Sequence, residues 1–197
     1  MVSVLEYDSS YTYGFSPRLV SKMLAGESLG WFRGCLFTAV QGQGCFMSPT
    51  DTKLNVEPIA VRVSETFESK TAKFCEPVMK ANSSQGFTAS VADNLAMTSK
   101  PLRVYSQVKY GSVARADADV FMKFPKAGYT EKIWDHAAGV IIVEEAGGVV
   151  TDAGGAPLNW AGGRYLDTLD RGIIATSKTL HARLMDAVSK SWSSSQL

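Results

Sequence analysis

The chain has 197 residues, a length that suits one medium domain or two small lobes and gives either a sizeable core. Its content of 45% hydrophobic and 20% charged residues is that of a folded globular chain and excludes a disordered or fibrous one. A net charge of +1 supplies no global field to draw in nucleic acid or an anionic membrane, so any bound anion must be held by local groups.

Residues 1–33 read as a divergent lead, with a short helix over Ser16–Gly26 that uses Ser16 as N-cap and Pro17 in the first turn. Residues 34–192 carry the main pattern, and 193–197 read as a frayed tail. Two apolar, β-prone runs flank Gln41-Gly42-Gln43-Gly44 and predict a hairpin; no helix pattern follows these glycines, so they read as a turn rather than a phosphate loop. "IAVRVSE" from Ile59 alternates like a strand. A helix over 82–96 follows, with Phe87, Val91 and Leu95 at four-residue intervals.

Next come a strand at "LRVY", a helix or tight turn around Lys109 to Arg115, and a strand at "DVFMKF". The run Trp134 to Ala146 reads as a helix closed by Gly147-Gly148, and "GVVTD" and "RGIIATS" as strands. A last amphipathic helix has Leu180, Leu184, Ala187 and Val188 as its apolar stripe. The three Ala-Gly-Gly triplets at 146, 153 and 161 read as turns. Alternating strands and helices predict an α/β, layered α+β domain.

Cys35, Cys45 and Cys75 are odd in number and widely spaced, which argues against a disulfide framework or structural zinc and for small buried side chains. The apolar runs are too short to span a membrane, and the first ten residues lack the pattern of a secretory leader. An intracellular setting is expected, in the cytoplasm or an organelle.

Two groups of residues carry chemistry. Asp135 follows Trp134 and precedes Ala137-Ala138-Gly139. A carboxylate there could cap the first turn of a helix, or, with small residues clearing the space beside it, grip a hydrated magnesium ion facing a phosphate. Ser106, Lys109 and Arg115 follow a strand and could clasp a phosphate by charge-assisted bonds, with Lys123 a further cation. His136 and His181 have no partners at metal-ligand spacing, and His136 reads as structural.

"IWDHAAG", "EEAGGVVTDAGG" and "GIIA" together resemble the C-terminal part of the inositol monophosphatase superfamily. The run from "YSQVKYGSVARADADVFMKFP" to "YTEKIWDHAAG" is similar to its 3'(2'),5'-bisphosphate nucleotidase branch, plant members above all, over about 34–192. The resemblance implies alternating layers of helix and sheet, incomplete here, and magnesium-dependent hydrolysis of 3'-phosphoadenosine 5'-phosphate. It makes Asp135 a metal ligand and Ser106 and Lys109 a nucleotide-binding pair, with Lys123 and Arg115 on the same basic patch. Gln85 stands where relatives carry a nucleotide-contacting histidine.

The acidic pair and the Asp-Pro-Ile-Asp-Gly-Thr motif that supply the family's other metal ligands are absent from the sequence. Two further readings stay open: an inositol polyphosphate 1-phosphatase, or a catalytically silent nucleotide- or partner-binding module. Small-molecule phosphates are the expected partners, with no nucleic acid and no membrane, and unpaired sheet edges predict self-association.

Overall fold

The computed structural model describes residues 2–5, 35–50, 57–81, 83–105 and 107–194. The first sheet is antiparallel, with strand order β1-β2-β3-β4 from β1 (Val2–Leu5), β2 (Cys35–Val40), β3 (Gly44–Pro49) and β4 (Ile59–Ala60). β2 and β3 form the expected hairpin, with Val40 opposite Gly44. Gly42 and Gly44 take φ of +77° and +86°, and both donate their amides at 2.8 Å to the carboxylate of Glu145. These are turn glycines, as the sequence predicts, fixed by an acid about a hundred residues away.

The second sheet contains β5 (Phe74–Pro77), β6 (Leu102–Val104), β7 (Val120–Lys123), β8 (Gly148–Asp152) and β9 (Ile173–Ser177), in the order β6-β5-β7-β9-β8. β5 runs parallel to both β6 and β7, and β9 runs antiparallel to β7 and β8. Four α-helices complete the described fold: α1 (Gln85–Asn94), α2 (Val108–Ala114), α3 (Ala137–Glu145) and α4 (Lys178–Ser194).

Strand alternation sorts the core into two. Phe121, Ile173 and Ala175 face α2, α3 and, beyond them, Phe37 and Met47 of the first sheet. Val120, Met122 and Ile174 face the other way, onto α1 and α4. The layers are therefore sheet, helix pair, sheet, helix pair, the alternating α/β arrangement that the sequence predicts. The expected stripes do the packing. Phe87 and Val91 on α1, with Leu95 at its C-cap, meet Leu180, Leu184, Ala187 and Val188 on α4, the larger side chains each contributing about 2 kcal/mol at full burial.

Three details differ from the sequence reading. The "IAVRVSE" strand stops at Ala60, because the Val63 amide donates to the carbonyl of Ala146 at 3.0 Å instead of continuing the β3 ladder. The helix expected from Trp134 is two pieces, a 3₁₀ turn over Ile133–Asp135 and then α3. α4 runs through Ser194, past the start of the expected tail. The predicted helix over 16–26 and Ser106 lie outside the described residues. All three cysteines are free and buried, and no helix among the described residues is long and apolar enough to cross a membrane.

Candidate functional site

β5, β6 and β7 end at one side of the second sheet. From there the chain leaves β5 for α1 on one face and leaves β6 for α2 on the other. Adjacent connections that part to opposite faces open a crevice beyond the carboxyl ends of the strands, the usual ligand seat of such sheets. A cleft of about 330 Å³ lies there. Pro77 to Met79 and Val104-Tyr105 form its strand-end walls, Lys109 and Lys123 its cationic side, and Trp134 and Asp135 its far rim.

Lys109 lies in the first turn of α2 and is buried, 6% exposed. Its ammonium donates to the Val104 carbonyl at 3.4 Å and stands 5.6 Å from the centre of the Phe121 ring. Burial pulls its pKa down to about 8, helped by the like charge of Lys123 and opposed by Cys75 and Glu131.

Lys123 ends β7, and its ammonium is 2.6 Å from Oε1 and 2.7 Å from Oε2 of the buried Glu131. The hydrogen bond goes to Oε2, and Oε1 is held by charge without a well-directed bond. Glu131 Oε2 also accepts from His136 Nε2 at 2.9 Å. With the proton on Nε2, Nδ1 is the acceptor that takes the Tyr110 hydroxyl at 2.7 Å. Burial alone would raise the Glu131 carboxyl, yet the bond from His136 and the Lys123 ammonium hold it below its ordinary value. His136 is part of a buried chain running Lys123, Glu131, His136, Tyr110.

Asp135 closes the 3₁₀ turn. That turn is anchored from outside: the Ile133 amide donates to Arg164, the Leu166 amide donates to Glu131, and Lys132 bridges Tyr165. The Asp135 carbonyl accepts from Gln107 Nε2. Its carboxylate is exposed on the cleft, with no hydrogen bond or ion pair among the described residues. It caps no helix there, so the capping role that the sequence leaves open is not taken.

Gly139 corrects a second expectation. A Cβ there would overlap the ring of Tyr110 and the amide oxygen of Gln107. Its lack of a side chain is used for packing α2 against α3, not for room beside the acid.

The structure gathers Lys109, Lys123 and Asp135 in one cleft and leaves two other expected residues out of its lining. Gln85 stands behind the wall, donating from Nε2 to the carbonyls of Pro77 at 3.0 Å and Val78 at 3.3 Å. Arg115 does not share the basic patch. It sits at the opposite end of α2, paired to Asp117 and 3.7 Å from the sulfurs of Cys35 and Met47, because the helix carries it toward the first sheet. Sequence reasoning missed Glu131 and Tyr110: an acid five residues before a histidine matches no helix or strand period, and a tyrosine in an apolar stripe reads as core.

For a metal, the described lining of the cleft offers one carboxylate, that of Asp135. No group of three or more His, Cys, Asp or Glu among the described residues could hold an ion, and Glu131 is already committed to Lys123 and His136. One unpaired carboxylate suits a hydrated divalent ion that keeps most of its waters and does not make a preformed multi-metal centre.

A family model described as the inositol monophosphatase family matches residues 29–193. The chain is 47% identical over 187 residues to the 3',5'-bisphosphate nucleotidase AHL of Arabidopsis thaliana, covering 93% of this chain and 49% of that protein. It is 44% identical over 166 residues to a 3'(2'),5'-bisphosphate nucleotidase of Oryza sativa, covering 84% and 45%. The chain spans about half the length of these curated relatives. Among solved structures, the extragenic suppressor protein suhB of Bartonella henselae superposes with a TM-score of 0.57 at 26% identity, over 80% of this chain and 53% of that one.

Proposed function

The chain belongs to the inositol monophosphatase family, and we propose that it serves magnesium-dependent hydrolysis of 3'-phosphoadenosine 5'-phosphate to AMP and phosphate, in the manner of the 3'(2'),5'-bisphosphate nucleotidases it is similar to. The observation that carries this reading is the meeting of Lys109, Lys123 and Asp135, from three separate elements, in one cleft. Two ammonium groups facing an acid suit a ligand with more than one phosphate. The names of the relatives point the same way.

The side chains bind and orient. Lys109 and Lys123 attract phosphate oxygens by charge-assisted bonds, and Glu131 keeps Lys123 from swinging to solvent. Ser106, next to Tyr105 in sequence, completes the nucleotide-binding pair with Lys109. Asp135 is the residue that would hold a magnesium ion beside the phosphates. When bound, that ion supplies charge neutralisation on the phosphoryl oxygens and activation of a water.

The test is phosphate release from 3'-phosphoadenosine 5'-phosphate by the purified chain, with and without magnesium. Release that needs magnesium and is abolished in Asp135→Asn is the expected result. Release indifferent to either change overturns the metal assignment. A nucleotide that raises the melting temperature with no turnover at high protein concentration overturns hydrolysis and leaves a binding role. Faster release from an inositol phosphate replaces the substrate.

A further inference from the structure

Seven large hydrophobic side chains are exposed among the described residues, and four of them line this one cleft: Met79 at 53%, Tyr105 at 56%, Tyr129 at 44% and Trp134 at 54%. Exposed apolar side chains gathered around a cleft mark a ligand seat more often than chance scatter does. Here the apolar rim stands over a cationic side made by Lys109 and Lys123. The complementary ligand has phosphates at one end and a flat apolar face at the other. A nucleoside bisphosphate has both. A polyol bisphosphate has the charge and no planar ring.

The three aromatic rings are not equally available. Trp134 has the Arg164 guanidinium 5.3 Å from its ring centre, and the same guanidinium lies 5.2 Å from that of Tyr165. Tyr129 has the Lys123 ammonium at 5.4 Å. Tyr105 has no ring, cation or hydrogen-bond partner for its side chain among the described residues, and it is the most exposed of the three. It also directly follows Val104, whose carbonyl takes the Lys109 ammonium. One ring is therefore unclaimed, and the chain carries it one residue from an anchoring point of the phosphate-binding cation.

We propose that Tyr105 is the residue on which the nucleotide base stacks, and that it makes the cleft select a nucleoside bisphosphate over a polyol bisphosphate. The proposal rests on the reading of the cleft as a phosphate-ester site. Stacking on an aromatic ring tolerates any base, because every base has a π face. Tyr105 therefore sets nucleotide against polyol, without choosing among bases.

Calorimetric titration of the chain with three ligands tests it: 3'-phosphoadenosine 5'-phosphate, the base-free ribose bisphosphate and an inositol bisphosphate. The wild-type chain is expected to bind the nucleotide about ten-fold more tightly than either base-free ligand. Tyr105→Ala removes that difference and leaves base-free binding unchanged, whereas Tyr105→Phe keeps it. Because the side chain is exposed, both variants are expected to melt as the wild type does. A nucleotide preference that survives in Tyr105→Ala, or a wild-type chain with no preference, overturns the role of Tyr105 while the phosphate site stands. Binding of none of the three overturns the site itself, and this proposal with it.

Discussion

The Lys123 ammonium lies 2.6 Å from Glu131 Oε1, and through Glu131 this cleft cation is tied to His136, the residue after Asp135. The two chemical walls of the cleft thus share one buried acid. Removing a partner from a buried pair leaves an uncompensated charge, which typically costs more than the pair itself is worth. Glu131→Gln is expected to lower stability by about 3 kcal/mol in urea unfolding at neutral pH, and to weaken bisphosphate binding by about ten-fold as Lys123 loses its tether.

The same variant carries a pH signature. The Glu131 carboxyl is held below its ordinary value of 4.5, so the unfolded chain takes up its proton first as pH falls. The stability it gives is present above about 4.5 and is lost as pH drops through the lower, folded value. Wild type should therefore lose stability more steeply on acidification than Glu131→Gln. Parallel acid profiles would show that the Glu131 carboxyl has the same pKa in the folded and the unfolded chain, and that His136 and Lys123 do not lower it.

Lys109 sets a pH dependence of the opposite direction, and on binding. Its pKa of about 8 leaves it an ammonium below that pH and a free amine above it. The groups facing it are Cys75, whose thiol burial pushes up to about 12, and the charged Lys123 and Glu131. A phosphate ligand is already fully ionised at pH 8. Affinity for the bisphosphate should be highest between the phosphate's second pKa, about 6, and pH 8, and fall by up to about ten-fold per unit above pH 8. Lys109→Met should bind weakly at every pH, with the slope gone; a slope that persists would move the titration to another group.

How much of this was legible beforehand follows from periodicity. The stripes of α1 and α4, the β2–β3 hairpin and the doubly buried β7 and β9 all announce themselves within a few residues, because local spacing decides which side is apolar. Lys109, Lys123 and Asp135 were legible as chemistry, and the family resemblance joined them. What no local pattern carries is long-range pairing. Glu145 sits in an ordinary helix end, yet its partners are the amides of Gly42 and Gly44. Arg115 has the composition of a phosphate ligand, but the helix turns it toward Asp117 and the first sheet. Gln85 shares its segment with the cleft wall and supports that wall through backbone carbonyls.

Gly139 offers the sharpest contest between local preference and packing. Alanine is favoured over glycine in a helix by up to about 1 kcal/mol, so propensity alone makes Gly139→Ala stabilising. The added methyl group would instead occupy space held by the Tyr110 ring and the Gln107 amide. Tyr110 is fully buried, edge-on to Phe121 at 4.8 Å and hydrogen-bonded to His136, so it has little room to yield. Overpacking of this kind costs about 1–3 kcal/mol, enough to outweigh the propensity gain. Gly139→Ala is therefore expected to be destabilised in chemical unfolding. Because it pushes α2, the carrier of Lys109, away from α3, it should also weaken bisphosphate binding. A variant more stable than wild type would mean that the two helices can separate at no cost, and that the spacing between Lys109 and Asp135 is not fixed by their contact.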